Sequence, residues 1–137
     1  MDKEYEELIV RSFFQKKIQD RIIFELTSPK KRVKALGRLA HNHDTILNSM
    51  YFESIPKNMV YAEGISTQLK KYGAKDSCYV MSLISEIDGS FMGLECAIEK
   101  VIWCGLPCLI SCIPSKLLYF QAEQGSGPPE RYILRKI

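Results

Sequence analysis

The sequence is short of the residues on which most catalytic chemistry relies. It has two histidines, His41 and His43, and both lie in a stretch that reads as helix. No serine sits in a Gly-x-Ser-x-Gly elbow, so a serine nucleophile backed by imidazole is not offered. No G-x-G-x-x-G follows a strand: Gly125-Ser126-Gly127 leads into two prolines and a further strand, with no helix start for a phosphate. Apolar runs end after a handful of residues, far short of the roughly 20 needed to cross a bilayer. The start of the chain, with Asp2, Glu4, Glu6 and Glu7, lacks the basic start and apolar centre of a secretory leader. A cytoplasmic protein with no membrane contact is expected. Charge of one sign is scarce as well, and a net charge of +3 does not by itself call for a polyanion.

What is present describes an ordinary globular chain. With 137 residues, 46% hydrophobic and 26% charged, it is expected to form a single domain over 1–137, in which a helical segment, residues 1–48, packs on 49–137. Five cysteines, at 78, 96, 104, 108 and 112, are an odd set inside regular elements, which suits reduced core thiols and not a disulfide framework. The 104, 108, 112 spacing lacks the close pairs of a zinc site, and His41 and His43 stand about 200° apart around a helix. No metal and no cofactor are expected.

Periodicity places the elements. Residues 2–26 read as helix, with a slip near 14–17 that predicts a kink or a break. Phe13 and Phe14 cannot share one helical stripe, because neighbours point about 100° apart. A second helix starts at Pro29, with Ser28 as its expected cap. Residues 50–55 suit a first strand, and Asn58 is the expected cap of the helix that follows. Residues 77–84 read as a strand buried on both sides, 94–104 as a helix closed by Gly105, and 108–113, 116–123 and 131–136 as three strands. The order is α-α-β-α-β-α-β-β-β. It predicts an α/β fold on a mixed five-stranded sheet, parallel where crossovers join strands and antiparallel at the end, with helices on one or both faces. An α+β domain is the alternative.

Two groups of residues are candidate sites. If the early strands are parallel, their carboxyl ends bring three loops to one edge, and Lys57, Asn58, Ser85, Glu86, Asp88, Ser115 and Lys116 would line a ligand site. The second group is the basic start of the second helix: Lys30, Lys31, Arg32, Lys34 and Arg38. Cations there oppose the helix dipole, so local stability does not account for them. A solvated face matched by Glu4, Glu6, Glu7 or Glu25 is the favoured reading, with no polyanion binding tighter than about micromolar at physiological salt; a nucleic-acid surface is the alternative.

The sequence therefore points to a small non-enzymatic binding or regulatory protein. The alternatives are a metal-assisted hydrolase or nuclease using Glu86, Asp88 and Glu123, and a nucleic-acid-associated protein. Convergent carboxylates would favour the enzyme; a basic surface joining Lys30, Lys34 and Arg38 to Lys16, Lys17 or Arg21 would favour nucleic acid. The last strand is expected at a sheet edge, with Arg131, Arg135 and Lys136 as the charges that blunt it. A homodimer is also expected, since Phe13, Phe14 and Ile133 are left over on helix and edge-strand faces; a protein partner is the other candidate to cover them.

Overall fold

Asp2 opens the first helix, α1 (Lys3–Phe13), by accepting a 3.0 Å hydrogen bond from the Tyr5 amide. The computed structural model describes residues 1–123 and 129–136; the expected Gly125–Gly127 turn lies outside the described residues. The predicted slip is a true break. Phe14 and Gln15 are extended, a 3-10 turn covers Lys16–Ile18, and α2 (Gln19–Leu26) starts afresh. At the break the chain pairs with residues 46–48: Gln15 N–H donates to the Ile46 carbonyl at 2.8 Å, and Asn48 N–H to that of Phe13 at 2.8 Å. Because the helix stops between them, Phe13 and Phe14 both turn inward and are buried.

Helix α3 (Pro29–Ile46) has proline in its first turn, as its fixed φ favours, but the Ser28 side chain makes no capping bond. It continues past His41–Asp44 to Ile46, with a kink at Asn42 (φ −123°, ψ 28°). Strand β1 is Phe52–Ser54. Asn58 does not cap the following helix: it sits in a 3-10 turn, Lys57–Met59, and α4 (Ala62–Lys71) begins after Tyr61. The turn packs so tightly on α4 that a Cβ on Gly64 would lie 2.5 Å from the Met59 carbonyl oxygen. Strand β2 (Ser77–Ser82), strand β3 (Ser90–Gly93), helix α5 (Leu94–Val101) and strands β4 (Cys108–Ile113), β5 (Leu117–Gln121) and β6 (Arg131–Arg135) complete the fold.

The sheet has six strands, in the order β1-β6-β5-β4-β2-β3, and every neighbouring pair is antiparallel. The five-stranded, partly parallel expectation is corrected in two ways: an unforeseen strand, β3, is added, and neither crossover joins neighbouring strands. Gly89, at φ 72°, turns the chain back on β2. With that reversal the α5 crossover delivers β4 parallel in direction to β3, not to β2, and β2 lies between them. The α4 crossover likewise joins two strands of the same direction, β1 and β2, with β6, β5 and β4 between them.

Helices cover both faces. The first three pack Ile9, Phe13, Ile22, Leu36 and Leu39 against Tyr79, Met81, Leu109, Leu118, Phe120 and Leu134. On the other face α4 and α5 pack Ile65, Leu69, Leu94, Ile98 and Val101 against Val80, Ile110, Tyr119 and Ile133. Alternation along each strand supplies both cores. The last strand, expected at the edge, is interior: β6 pairs with β5 and with β1. Phe13, Phe14 and Ile133 all find cover within one chain, which removes the grounds for a homodimer.

Candidate functional site

The antiparallel order divides the expected loop site. Lys57 and Asn58 follow β1, and Ser85, Glu86 and Asp88 follow β2, so both groups lie at the sheet end where β6 begins. They are four strand spacings apart, about 19 Å. Ser115 and Lys116 connect β4 to β5 at the opposite end. One cleft cannot take all three loops.

The carboxylates of the loop do not converge either. Asp88 is held by Arg32 from α3, at 2.7 Å (Nε to Oδ2) and 2.8 Å (Nη2 to Oδ1), and accepts the Ser82 amide at 3.0 Å. The same guanidinium grips Glu6 of α1 at 2.6 and 2.7 Å, and Tyr79 donates its hydroxyl to Glu6 at 2.6 Å. Arg32, Glu6 and Tyr79 are all buried. Burial pulls the Arg32 guanidinium down, but the bonds to Asp88 and Glu6 outweigh it and hold its pKa above the usual arginine value. The Tyr79 hydroxyl is pushed up by burial and by its bond to Glu6. This network ties α1, α3 and the β2–β3 turn together. It removes Arg32 from the basic surface and Asp88 from acid-base work. Glu86 is exposed, and Glu123, after β5, bonds His41 Nε2 at 3.0 Å.

The basic helix separates in the same way. Arg32 is internal, and Arg38 bonds Glu25 of α2, whose carboxyl is pushed up by burial but held below the ordinary range overall by Arg38 and Arg21. Lys31 places its ammonium 4.6 Å from the centre of the Phe24 ring, and Phe24 is 61% exposed. A cleft of about 270 Å³ opens between α2 and α3. It is lined by Lys17, Arg21, Arg38, Asn42 and Thr45 over Ile18, Ile22 and Ile46. Lys30 and Lys34 are exposed and continue the Arg38 row at four-residue steps. Lys17, in the 3-10 turn, and Arg21, in α2, enter the sequence reading only as residues that could extend the basic surface, and both line this cleft.

The histidines also diverge. His43 bonds Glu130 at 3.0 Å and packs among Phe52, Phe120 and Tyr132, while His41 reaches Glu123. Among the described residues no three His, Cys, Asp or Glu side chains come close enough to share a metal ion. All five cysteines are free; Cys96 is exposed, and Cys78 and Cys108 are buried. Burial, with the neighbouring Cys96, pushes Cys78 up to about 12, and burial raises Cys108 and Cys112 as well. Thiolate, not thiol, reacts with a disulfide reagent. At pH 8 Cys96 should therefore react at least tenfold faster than Cys78, Cys108 and Cys112, and all five should titrate once the chain is denatured. Two or more of Cys78, Cys108 and Cys112 reacting at the Cys96 rate would contradict this.

A second cleft, of about 530 Å³, opens where β1 ends and β6 begins, lined by Ile55, Lys57, Val60, Pro129, Glu130 and Arg131. No protein family, curated protein or solved structure matches this chain. The site geometry is therefore the sole guide to what the protein binds. Arg131, expected from sequence to blunt a sheet edge, instead lines this cleft, and Trp103, 76% exposed beside it, gives no periodic signal.

Proposed function

We propose that this is a non-catalytic binding protein whose partner is a nucleic-acid backbone, held on the cationic face of α2 and α3. The reading rests on Lys17 and Arg21, which line one cleft beside the Glu25-bound Arg38, and on exposed Lys30 and Lys34. Residues 16–41 hold eight of the 19 lysines and arginines of the chain but two of its 16 acids, so the modest net charge hides a concentrated positive region. Both helices turn their apolar faces to the core through Ile22, Leu26, Leu36 and Leu39, which leaves no continuous apolar stripe to enter a bilayer. Phe24 supplies one open aromatic face on which an unpaired base can stack. The hydrolase alternative lacks support: Asp88 is committed to Arg32, and Glu86 and Glu123 leave different strands.

Four phosphate contacts on a single strand, from Lys17, Arg21, Lys30 and Lys34, give a log–log salt slope of about −2.8, with a micromolar dissociation constant at physiological salt. The test is fluorescence anisotropy of a labelled single-stranded 20-mer across a salt series. A Lys17→Gln, Arg21→Gln, Lys34→Gln triple variant should bind at least tenfold more weakly with an unchanged melting temperature. Salt-independent binding, or full affinity in the triple variant, would remove the proposal.

A further inference from the structure

We propose that the cleft at the β1–β6 end of the sheet binds a small amphiphilic anion: a carboxylate or phosphate head on an aliphatic or aromatic body. It lies on the α4–α5 face, on the other side of the sheet from the α2–α3 surface, and stands independently of the nucleic-acid reading. Its volume of about 530 Å³ is in the range of small-molecule sites, and its make-up is of the same kind: apolar walls with few charges. Ile55, Val60 and Pro129 form the walls, and Lys57 and Arg131 supply the cations. The one acid at the rim, Glu130, is drawn off by His43 at 3.0 Å.

Arg131 carries the inference. One arm of its guanidinium, Nη2, donates to the Ile102 carbonyl at 2.8 Å. Its Nε is buried and has no hydrogen-bond partner among the described residues. The neighbouring Tyr119 hydroxyl donates to Gln121 Oε1 at 2.9 Å, and its oxygen remains able to accept from the Arg131 guanidinium. Arg131 also lines the cleft, and a guanidinium there offers an oxyanion a partner that matches it in shape and charge. Exposed Lys57 supplies a second, mobile cation from across the cleft. The apolar walls account for the body of the ligand: inorganic phosphate alone would leave them unused.

Trp103 makes the site readable. It is the only tryptophan in the chain, and its ring centre lies 5.8 Å from the Arg131 guanidinium carbon. The probes are decanoate, decanol and inorganic phosphate, followed by Trp103 emission. Decanoate should change the emission saturably, with half-saturation in the range of about tens of micromolar. Decanol and phosphate should each need at least tenfold more, and Lys57→Glu and Arg131→Gln should each weaken decanoate at least tenfold. Lys57 is exposed, so Lys57→Glu decides the matter even if Arg131→Gln disturbs the fold by freeing the Ile102 carbonyl. Decanol binding as well as decanoate, unchanged decanoate binding in Lys57→Glu, or no saturable change at all would each overturn the proposal. None of these outcomes depends on whether the 20-mer binds.

Discussion

Arg32→Leu is expected to lower the free energy of unfolding by about 3–5 kcal/mol, because it strands two carboxylates that the fold has already removed from water. Glu6 is 3% exposed, and Asp88 is enclosed by the β2–β3 turn, where its other contact is the Ser82 amide. Each loses a two-pronged guanidinium bond when Arg32 goes, and Glu6 keeps only the Tyr79 hydroxyl. Leucine fills part of the space but cannot answer either charge. For a chain of this length the melting temperature should fall by about 10–20 °C. Urea unfolding followed by circular dichroism measures it, and a loss below about 1 kcal/mol would show that the network is solvated and weak. Replacing the set together, as Glu6→Gln, Arg32→Met and Asp88→Asn, should recover part of the loss, since no unpaired charge is left, while the two buried amides still lack full hydrogen bonding.

Ile133→Asp should be more damaging still. Ile133 is 1% exposed in the middle of β6, opposite Tyr119 on β5 and Glu53 on β1, and it packs into the core beneath α4 and α5. An unpaired carboxylate there costs several kcal/mol in addition to the lost apolar contact, against a total stability of about 5–15 kcal/mol for a domain. The variant should be largely unfolded at 25 °C, without native near-ultraviolet circular dichroism. Phe14→Asp, at 4% exposure in the other core, should behave in the same way. On an edge strand or a helix surface the same two substitutions would split a dimer and leave the fold intact. A folded variant of native size would mean that Ile133 faces outward after all.

The contrast shows where the sequence is readable. Helical periodicity locates α1, α3 and α5, and the slip after Phe13 marks a real interruption, since no single stripe can hold both phenylalanines. The element count leaves helices on one face or on both, and the two cores show both faces covered. The missed element is Ser90–Gly93, whose four residues include a serine and a glycine and show no more strand character than a turn. Without it the next strand takes the wrong direction, which puts Ser115 and Lys116 at the wrong end of the sheet. Lys57 enters the expected ligand site on an incorrect assumption of parallel strands, and it lines a cleft all the same. Its partner Arg131 lies far along the chain and is brought beside it by the β1–β6 pairing, a contact that no local pattern encodes. For the basic stretch at 30–38 the sequence names Glu6 and Glu25 among the acids that could match it, and they hold Arg32 and Arg38; helical spacing does not show which cation each acid meets.

The placement of β6 between β5 and β1 has a consequence for how the chain reaches its fold. Phe52 pairs with Leu134, and β1 has no other strand neighbour. Until the segment from Arg131 onward has left the ribosome, β1 has nothing to dock on and β5 presents a bare hydrogen-bonding edge. The α4–α5 side can begin to assemble on the β2–β3 hairpin and β4, but the sheet closes only with the last strand made. Folding of this protein is therefore governed by its most distant contacts and is slow for its size. During synthesis the open side of β5 is the place where a nascent chain would first go astray.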